Sequence, residues 1–237
     1  MKTIKKTVLI LIAVLSLSTV YAQEEVEESK FNVDLGLDVQ SRYIWRGIQL
    51  GGNSASAQPW VELSSGGFAI GSWGAYNLGG LGEGNEADLY VSYAISDAFA
   101  VTVTDYFFPG EGTGGYFPYN EGHVFEAMLS YSGPIGIMVA TNFAGAIEDE
   151  NGDNAYSTYV EASYGTEIGG TPFSLAVGGV FNDDNGYYLT DGSGLINVTL
   201  GASKEIKFSD SFSLPVNAAI TLNPDSENFY LTFGFSL

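Results

Sequence analysis

The sequence predicts an all-β protein: a closed antiparallel transmembrane β-barrel of about 12 strands behind a cleaved signal peptide. Three observations lead there. Beyond residue 30 the chain divides into an even number of alternating segments, many of ten residues or more, with one parity apolar and the other small or polar. The connections alternate between tight turns and long polar loops. The composition, with 31 Gly, 15 Tyr, 15 Phe and no Cys, suits aromatic-rich strands and excludes a disulfide framework.

Taken in order, residues 1–22 carry Lys2, Lys5 and Lys6, an apolar run from Val8 to Leu17, and a small-x-small ending at Val20-Tyr21-Ala22. This is the pattern of a secretory signal cut before Gln23. A retained anchor is the rival reading, and the run is shorter than the ~20 residues a spanning helix requires. Residues 23–30, QEEVEESK, are acidic and non-periodic and read as a flexible lead-in. Residues 31–237 then hold the barrel, in segments near 31–46, 56–64, 68–77, 86–95, 99–108, 123–131, 135–144, 155–164, 173–182, 195–203, 212–222 and 228–237. SSGG (64–67), SDA (96–98) and SGP (132–134) are turn sequences, whereas 47–55, 78–85, 109–122, 148–154 and 183–194 are long loops. Later connections depart from the alternation, with longer turns expected at 165–172 and 204–211 and a short loop at 223–227. A soluble β-sandwich also alternates. Segment length counts against it, as do the aromatics that cap the apolar parity at Phe31 and at Tyr43 with Trp45, where an interfacial girdle would need them.

The first segment shows the two faces most fully. In FNVDLGLDVQSRYIWRG (31–47), Phe31, Val33, Leu35, Leu37, Val39, Tyr43 and Trp45 share one parity, with Ser41 the polar exception. Asp34, Asp38, Arg42 and Arg46 lie on the other, with Ile44 the apolar exception. A charge facing lipid near the midplane costs about 2–4 kcal/mol, so the charged parity faces the lumen. Extended to the other segments, parity predicts an inward set of Asp34, Asp38, Arg42, Arg46, Glu62, Asp88, Glu126 and Glu161, with Trp60, Trp73, Tyr90, Tyr159 and Tyr230. The chain without residues 1–22 has a formal charge of −23, from five basic and 28 acidic residues. That balance excludes nucleic acid as a partner, because phosphate binding needs a basic surface.

The stretches SRYIWRGIQ (41–49), SAQPWVEL (56–63), GSWGAYN (71–77), NEADLYVSYA (85–94) and DYFFPG (105–110) resemble the Gcw_chp family, TorF-type porin candidates of Gram-negative bacteria. The order and spacing match over essentially all of residues 31–237, with Ser-Arg-Tyr-x-x-Arg-Gly and Glu-x-Asp-Leu-Tyr the most specific parts. The resemblance implies an outer-membrane barrel with a transport role and no settled substrate. One departure is the last residue, Leu237, where barrels usually end in Phe or Trp. Phe233 and Phe235 keep the alternating aromatic signal read by the barrel-assembly machinery.

The expected function is a narrow, cation-preferring channel for small solutes in the outer membrane. Lipids, the assembly machinery and the solutes are its partners, and no cofactor is expected. In that reading Arg42 and Arg46 pair with neighbouring carboxylates, Glu62 and Asp88 first, and shape the narrowest section. The alternative is a structural or ligand-binding barrel whose charge ladder fills a non-conducting lumen. An enzyme is not expected: the sole histidine, His123, starts a strand on the lipid-facing parity with no adjoining serine. EDENGDNA (148–155) lacks the closing bidentate Glu of a calcium loop and reads as a solvated acidic loop, so no metal site is assigned. Pro59 and Pro215 cannot donate ladder bonds and are expected at strand ends or bulges.

Overall fold

The computed structural model describes residues 31–79, 84–110, 115–117 and 122–237, so the signal at 1–22 and the lead-in at 23–30 lie outside the described residues. Alternation of apolar and polar side chains sets up fourteen strands among them: β1 (Asn32–Gln40), β2 (Tyr43–Trp45), β3 (Ile48–Leu50), β4 (Ser56–Ser65), β5 (Phe68–Asn77), β6 (Glu86–Ala94) and β7 (Phe99–Phe107). The rest are β8 (His123–Tyr131), β9 (Gly136–Gly145), β10 (Thr158–Ile168), β11 (Thr171–Asp183), β12 (Gly192–Lys207), β13 (Ser213–Asn223) and β14 (Asn228–Ser236). Twelve of them form one closed antiparallel barrel, each pairing with its sequence neighbours across the β2–β3 excursion, and β1 closes the ring against β14. The closing seam pairs Asp38 with Ser236, Val39 with Phe235 and Gln40 with Gly234. Leu37 and Leu237 exchange backbone bonds of 3.0 and 2.9 Å beside it. Each barrel strand thus has a partner on both sides, with the β1–β14 seam confined to the second half of β1.

Turns alternate with loops as the sequence predicts, and every tight connection falls on one rim: 66–67, 95–98, 132–135, 169–170 and 208–212. The long-loop rim carries 41–55, 78–85, 108–122, 146–157 and 184–191, with 224–227 the short exception. The connection expected to be long at 165–172 is instead a two-residue turn, because Gly169 and Gly170 take φ of 61° and 78° and let β10 and β11 run on to meet it. β12 likewise continues to Lys207, shortening the turn expected over 204–211. Pro215 lies at the third position of β13, near the short-turn rim. Pro59 is mid-strand in β4 rather than at an end or bulge; it pairs with Leu37 on β1, and the β4–β5 ladder is interrupted there between Ala57 and Trp60 without a register shift.

The outward face is an apolar band. Leu63, Ile70, Val91, Val103, Leu129, Leu200 and Ile220 are all between 42 % and 54 % exposed, a far larger apolar surface than a protein in water presents. Aromatic pairs close the band at the short-turn rim, Phe68 with Tyr93 at 4.5 Å and Phe99 with Tyr131 at 5.0 Å between ring centroids. Tyr76, Phe181 and Phe229 stand outward near the opposite strand ends. Nine or ten residues at ~3.3 Å each, tilted about 40°, span roughly the 25 Å of a lipid-facing band.

The first segment is where the fold departs from expectation. It is not one strand over 31–46. β1 stops at Gln40, the chain bends at Ser41 and Arg42, and β2 and β3 form a separate two-stranded sheet outside the barrel ladder. Ser41, the parity exception, marks the break: its amide donates to the Phe233 carbonyl at 2.8 Å and its hydroxyl oxygen accepts the Phe233 amide at 3.0 Å, ending the seam. Tyr43 and Trp45 therefore do not belong to an outer girdle. Tyr43 is buried and both rings lie inside.

Candidate functional site

The β2–β3 hairpin crosses the lumen below the long-loop rim. Its two-residue turn, Arg46-Gly47, has φ of 48° and 83°, the paired left-handed conformation of a type I′ hairpin. Tyr43 donates to Glu86 on β6 at 2.8 Å and packs on Trp73 of β5, so the hairpin base rests on one wall. Its tip reaches the opposite wall. Asn223 at the end of β13 donates to the Gly47 carbonyl at 3.2 Å, and Ile48 packs with Tyr159, Val180 and Ile196 of β10, β11 and β12. Gly47 lies so close to β12 that a Cβ there would sit 1.8 Å from the Ile196 carbonyl oxygen.

Arg46 occupies the centre of this crossing. Its Nη1 donates to Glu126 Oε2 at 2.5 Å and its Nη2 to Oε1 at 2.9 Å, a two-pronged pair on β8. The same Nη1 donates to the Tyr188 hydroxyl at 2.5 Å, and Tyr106 donates to Glu126 at 3.0 Å. The guanidinium carbon lies 4.5 Å from the centroid of Trp45 and 4.8 Å from that of Tyr159. Trp45 in turn stacks on Tyr188 at 5.3 Å, with ring planes 7° apart. Tyr188 comes from the 184–191 loop, held inward because Asp183 accepts the backbone N–H groups of Tyr188 and Thr190. A buried carboxylate and a buried guanidinium are thus fully paired, with aromatic rings excluding water around them.

Beside this plug lies a cavity of about 560 Å³, bounded by the hairpin and reaching Tyr90, Thr104 and Thr232 on the barrel wall. Glu86 and Asp88 project into it from β6. Asp88 is only 5 % exposed, and its Oδ1 has no hydrogen-bond partner. Arg42 borders the cavity, yet its guanidinium donates to Gln49 at 2.8 Å and to Asn53 at 3.2 Å.

The carboxylates and aromatics of the inward set stand on one parity of the barrel strands, whereas Arg42 and Arg46 lie off the barrel wall, and the pairings differ from those expected. Arg46 pairs with Glu126, and neither arginine pairs with Glu62 or Asp88, because both arginines travel with the hairpin instead of standing on β1. Glu62 accepts the Tyr90 hydroxyl at 2.8 Å, and stands in register with Asp34 across the β1–β4 ladder. Asp34 accepts from Asn32 and Asp38 from Ser236, each at 2.5 Å. Glu161 accepts from Tyr159 at 2.6 Å and from Asn197 at 3.0 Å. Trp60 faces Trp73 across β4 and β5, its indole lying against Gly36, and Tyr230 faces Thr221. Glu86 is a further lumenal carboxylate, on the parity that already places Asp88 inside. Tyr188 had no periodic signal at all, since it enters from a loop.

Two other features were singled out in the sequence. His123 keeps its outward parity but is buried: its Nδ1 meets Asp105 at 2.8 Å and its Nε2 meets the Tyr116 carbonyl at 3.1 Å, while the Tyr116 hydroxyl donates to Asp105 at 2.7 Å. The imidazole ties the 108–122 loop to the wall. In the acidic loop, Asp149 accepts the backbone N–H groups of Asp153 at 3.0 Å and Asn151 at 2.8 Å, which hold its carboxyl below the usual carboxylate range.

A closed twelve-strand barrel, apolar outside, polar inside and crossed by an internal hairpin, is the class that fold and site define. The chain belongs to the Gcw_chp family, described as a bacterial protein of unknown function, whose model matches residues 24–222. No curated protein matches the chain.

Proposed function

We propose that this protein is an outer-membrane barrel whose lumen, narrowed by its own hairpin, passes small solutes and prefers cations. The observation that carries this reading is the balance of inward charge in the lumen, where Glu86 and Asp88 border a cavity. Asp34, Asp38, Glu62, Glu86, Asp88, Glu126 and Glu161 stand against Arg42 and Arg46, and Arg46 is already neutralised by Glu126. Surplus carboxylates in a narrow, low-dielectric passage attract cations and repel anions. The outward apolar band and its aromatic ends support seating in lipid, which for a bacterial barrel means the outer membrane. The strand-end aromatics Phe233 and Phe235 support recognition by the assembly machinery.

The passage is non-catalytic in this reading. The Asp105–His123 pair, the nearest approach to a catalytic dyad, is aimed at a backbone carbonyl rather than at a nucleophile. A second reading has one specific observation in its favour. The aromatic packing around Arg46 fills the lumen where the hairpin crosses, as a barrel that binds without conducting would require.

Uptake into proteoliposomes separates the two. Small cationic solutes are expected to enter faster than neutral and anionic solutes of the same size. Faster anion entry overturns the charge argument, and no entry of any solute favours the filled lumen.

A further inference from the structure

We propose that Glu86 and Asp88, with the rings of Tyr43, Trp73, Tyr90 and Tyr106, form a binding site for an organic ammonium group inside the lumen. The proposal deepens the reading of a cation-preferring passage by naming the cation's chemistry. It starts from a buried carboxylate oxygen that has no donor. Glu86 and Asp88 lie within hydrogen-bonding reach of each other, 2 % and 5 % exposed, and Asp88 Oδ1 has no donor while lining the cavity. Glu86 takes the Tyr43 hydroxyl at 2.8 Å and Asp88 takes the Phe107 backbone N–H, so the pair has neutral donors only. Buried carboxyls side by side either share a proton or take a cation between them, and a bound cation would displace that proton. The nearest arginine cannot supply the cation, because Arg42 is turned to Gln49 and Asn53.

The walls select the kind of cation. A metal ion needs a dense set of oxygen or imidazole ligands, and among the described residues no group of three such side chains could hold one. Aromatic faces favour a diffuse, weakly hydrated charge instead. Here Tyr43 and Trp73 pack at 5.4 Å with planes tilted by 54°, and both border the cavity beside the carboxylates, Trp73 in register with Asp88 and Tyr43 bonded to Glu86. At about 560 Å³ the space is that of a small-molecule site and larger than a bare ion needs. Gln58 and Thr104 add neutral hydrogen-bonding groups for a hydroxyl or carbonyl on the rest of the ligand.

The probe is choline chloride, titrated into the full-length protein folded in detergent micelles and read by intrinsic tryptophan fluorescence, since Trp45 and Trp73 border the cavity. Sodium chloride at matched ionic strength is the reference. A saturable change is expected with choline and not with sodium. Asp88→Asn and Trp73→Leu are each expected to weaken it by about tenfold or more, while the exposed-turn variant Asp210→Asn leaves it unchanged. Glu86→Gln keeps an acceptor for Tyr43 and gives a second carboxylate test should Asp88→Asn fail to fold. The proposal is overturned if choline gives no saturable change, if sodium gives the same change, or if the carboxylate variants bind as the parent does. Binding in micelles does not depend on conduction. Choline binding without solute entry retires the channel and keeps the site, and entry without binding does the reverse.

Discussion

Arg46 holds a left-handed backbone conformation, at φ 48°, that a side chain adopts only at a cost. Its bidentate pair with Glu126 and its contacts with Trp45 and Tyr159 offset that cost and fix the hairpin tip. Arg46→Ala would leave Glu126 buried with only tyrosine hydroxyls for partners, a loss of about 3–5 kcal/mol for a broken buried pair. The urea midpoint of the protein in micelles is expected to fall accordingly, and Arg46→Lys should recover part of it by restoring charge without the two-pronged geometry. Gly47 is constrained more severely, by φ 83° and by the Ile196 carbonyl. Gly47→Ala should therefore unseat the hairpin and leave the barrel closed. Limited proteolysis that newly cuts within 41–55 while the heat-modifiable gel mobility of a folded barrel persists is the expected result. Protection equal to the parent would mean that the tip is not seated on β12. At this scale, parity did not place Arg46: it lies inside because the hairpin does, as do Tyr43 and Trp45 of the opposite parity. Its partner was not legible, because Glu126 lies 80 positions further along and the choice between Glu62, Asp88 and Glu126 is made by the path of the hairpin.

Among the elements, the strands were legible and the plug was not. Period-two alternation is imposed locally by the contrast between an apolar outside and a polar inside, so it can be read one strand at a time. It could not separate β1 from β2, because a hairpin strand alternates too. The polar Ser41 and the apolar Ile44 were the traces of the changed environment. The 184–191 loop was less legible still: Tyr188 packs on Trp45 and Arg46, contacts that no local pattern encodes. The outward face of a strand carries its own prediction. Val103, midway along β7 and 46 % exposed, faces the apolar band. Val103→Arg is expected to cost about 2–4 kcal/mol in equilibrium folding into bilayers, whereas Ser92→Arg on the inner parity should cost a small part of that. Equal costs at the two positions would argue against a lipid-facing outer surface.

As a whole molecule, the barrel follows from an even strand count and matching parity at both ends, and β1 closes on β14. Twelve strands at about 4.8 Å spacing and ordinary tilt enclose a backbone cylinder roughly 24 Å across, too wide for wall side chains alone to fill and narrow enough for one hairpin to obstruct. The chain supplies that hairpin between its first and second barrel strands, where the tip reaches the far wall and the base borders the acidic cavity. The central claim is that this internal element sets the size of a cation-preferring passage. The most direct test is the reversal potential and unit conductance of single channels in a planar bilayer under a potassium chloride gradient. It compares the parent with a variant in which residues 42–54 are replaced by a short glycine-serine turn. The account predicts small, cation-selective steps in the parent and larger steps in the variant that still favour cations, because Asp34, Asp38, Glu62 and Glu161 remain on the wall. Anion-selective reversal in the parent, or equal conductance in the two proteins, would contradict it.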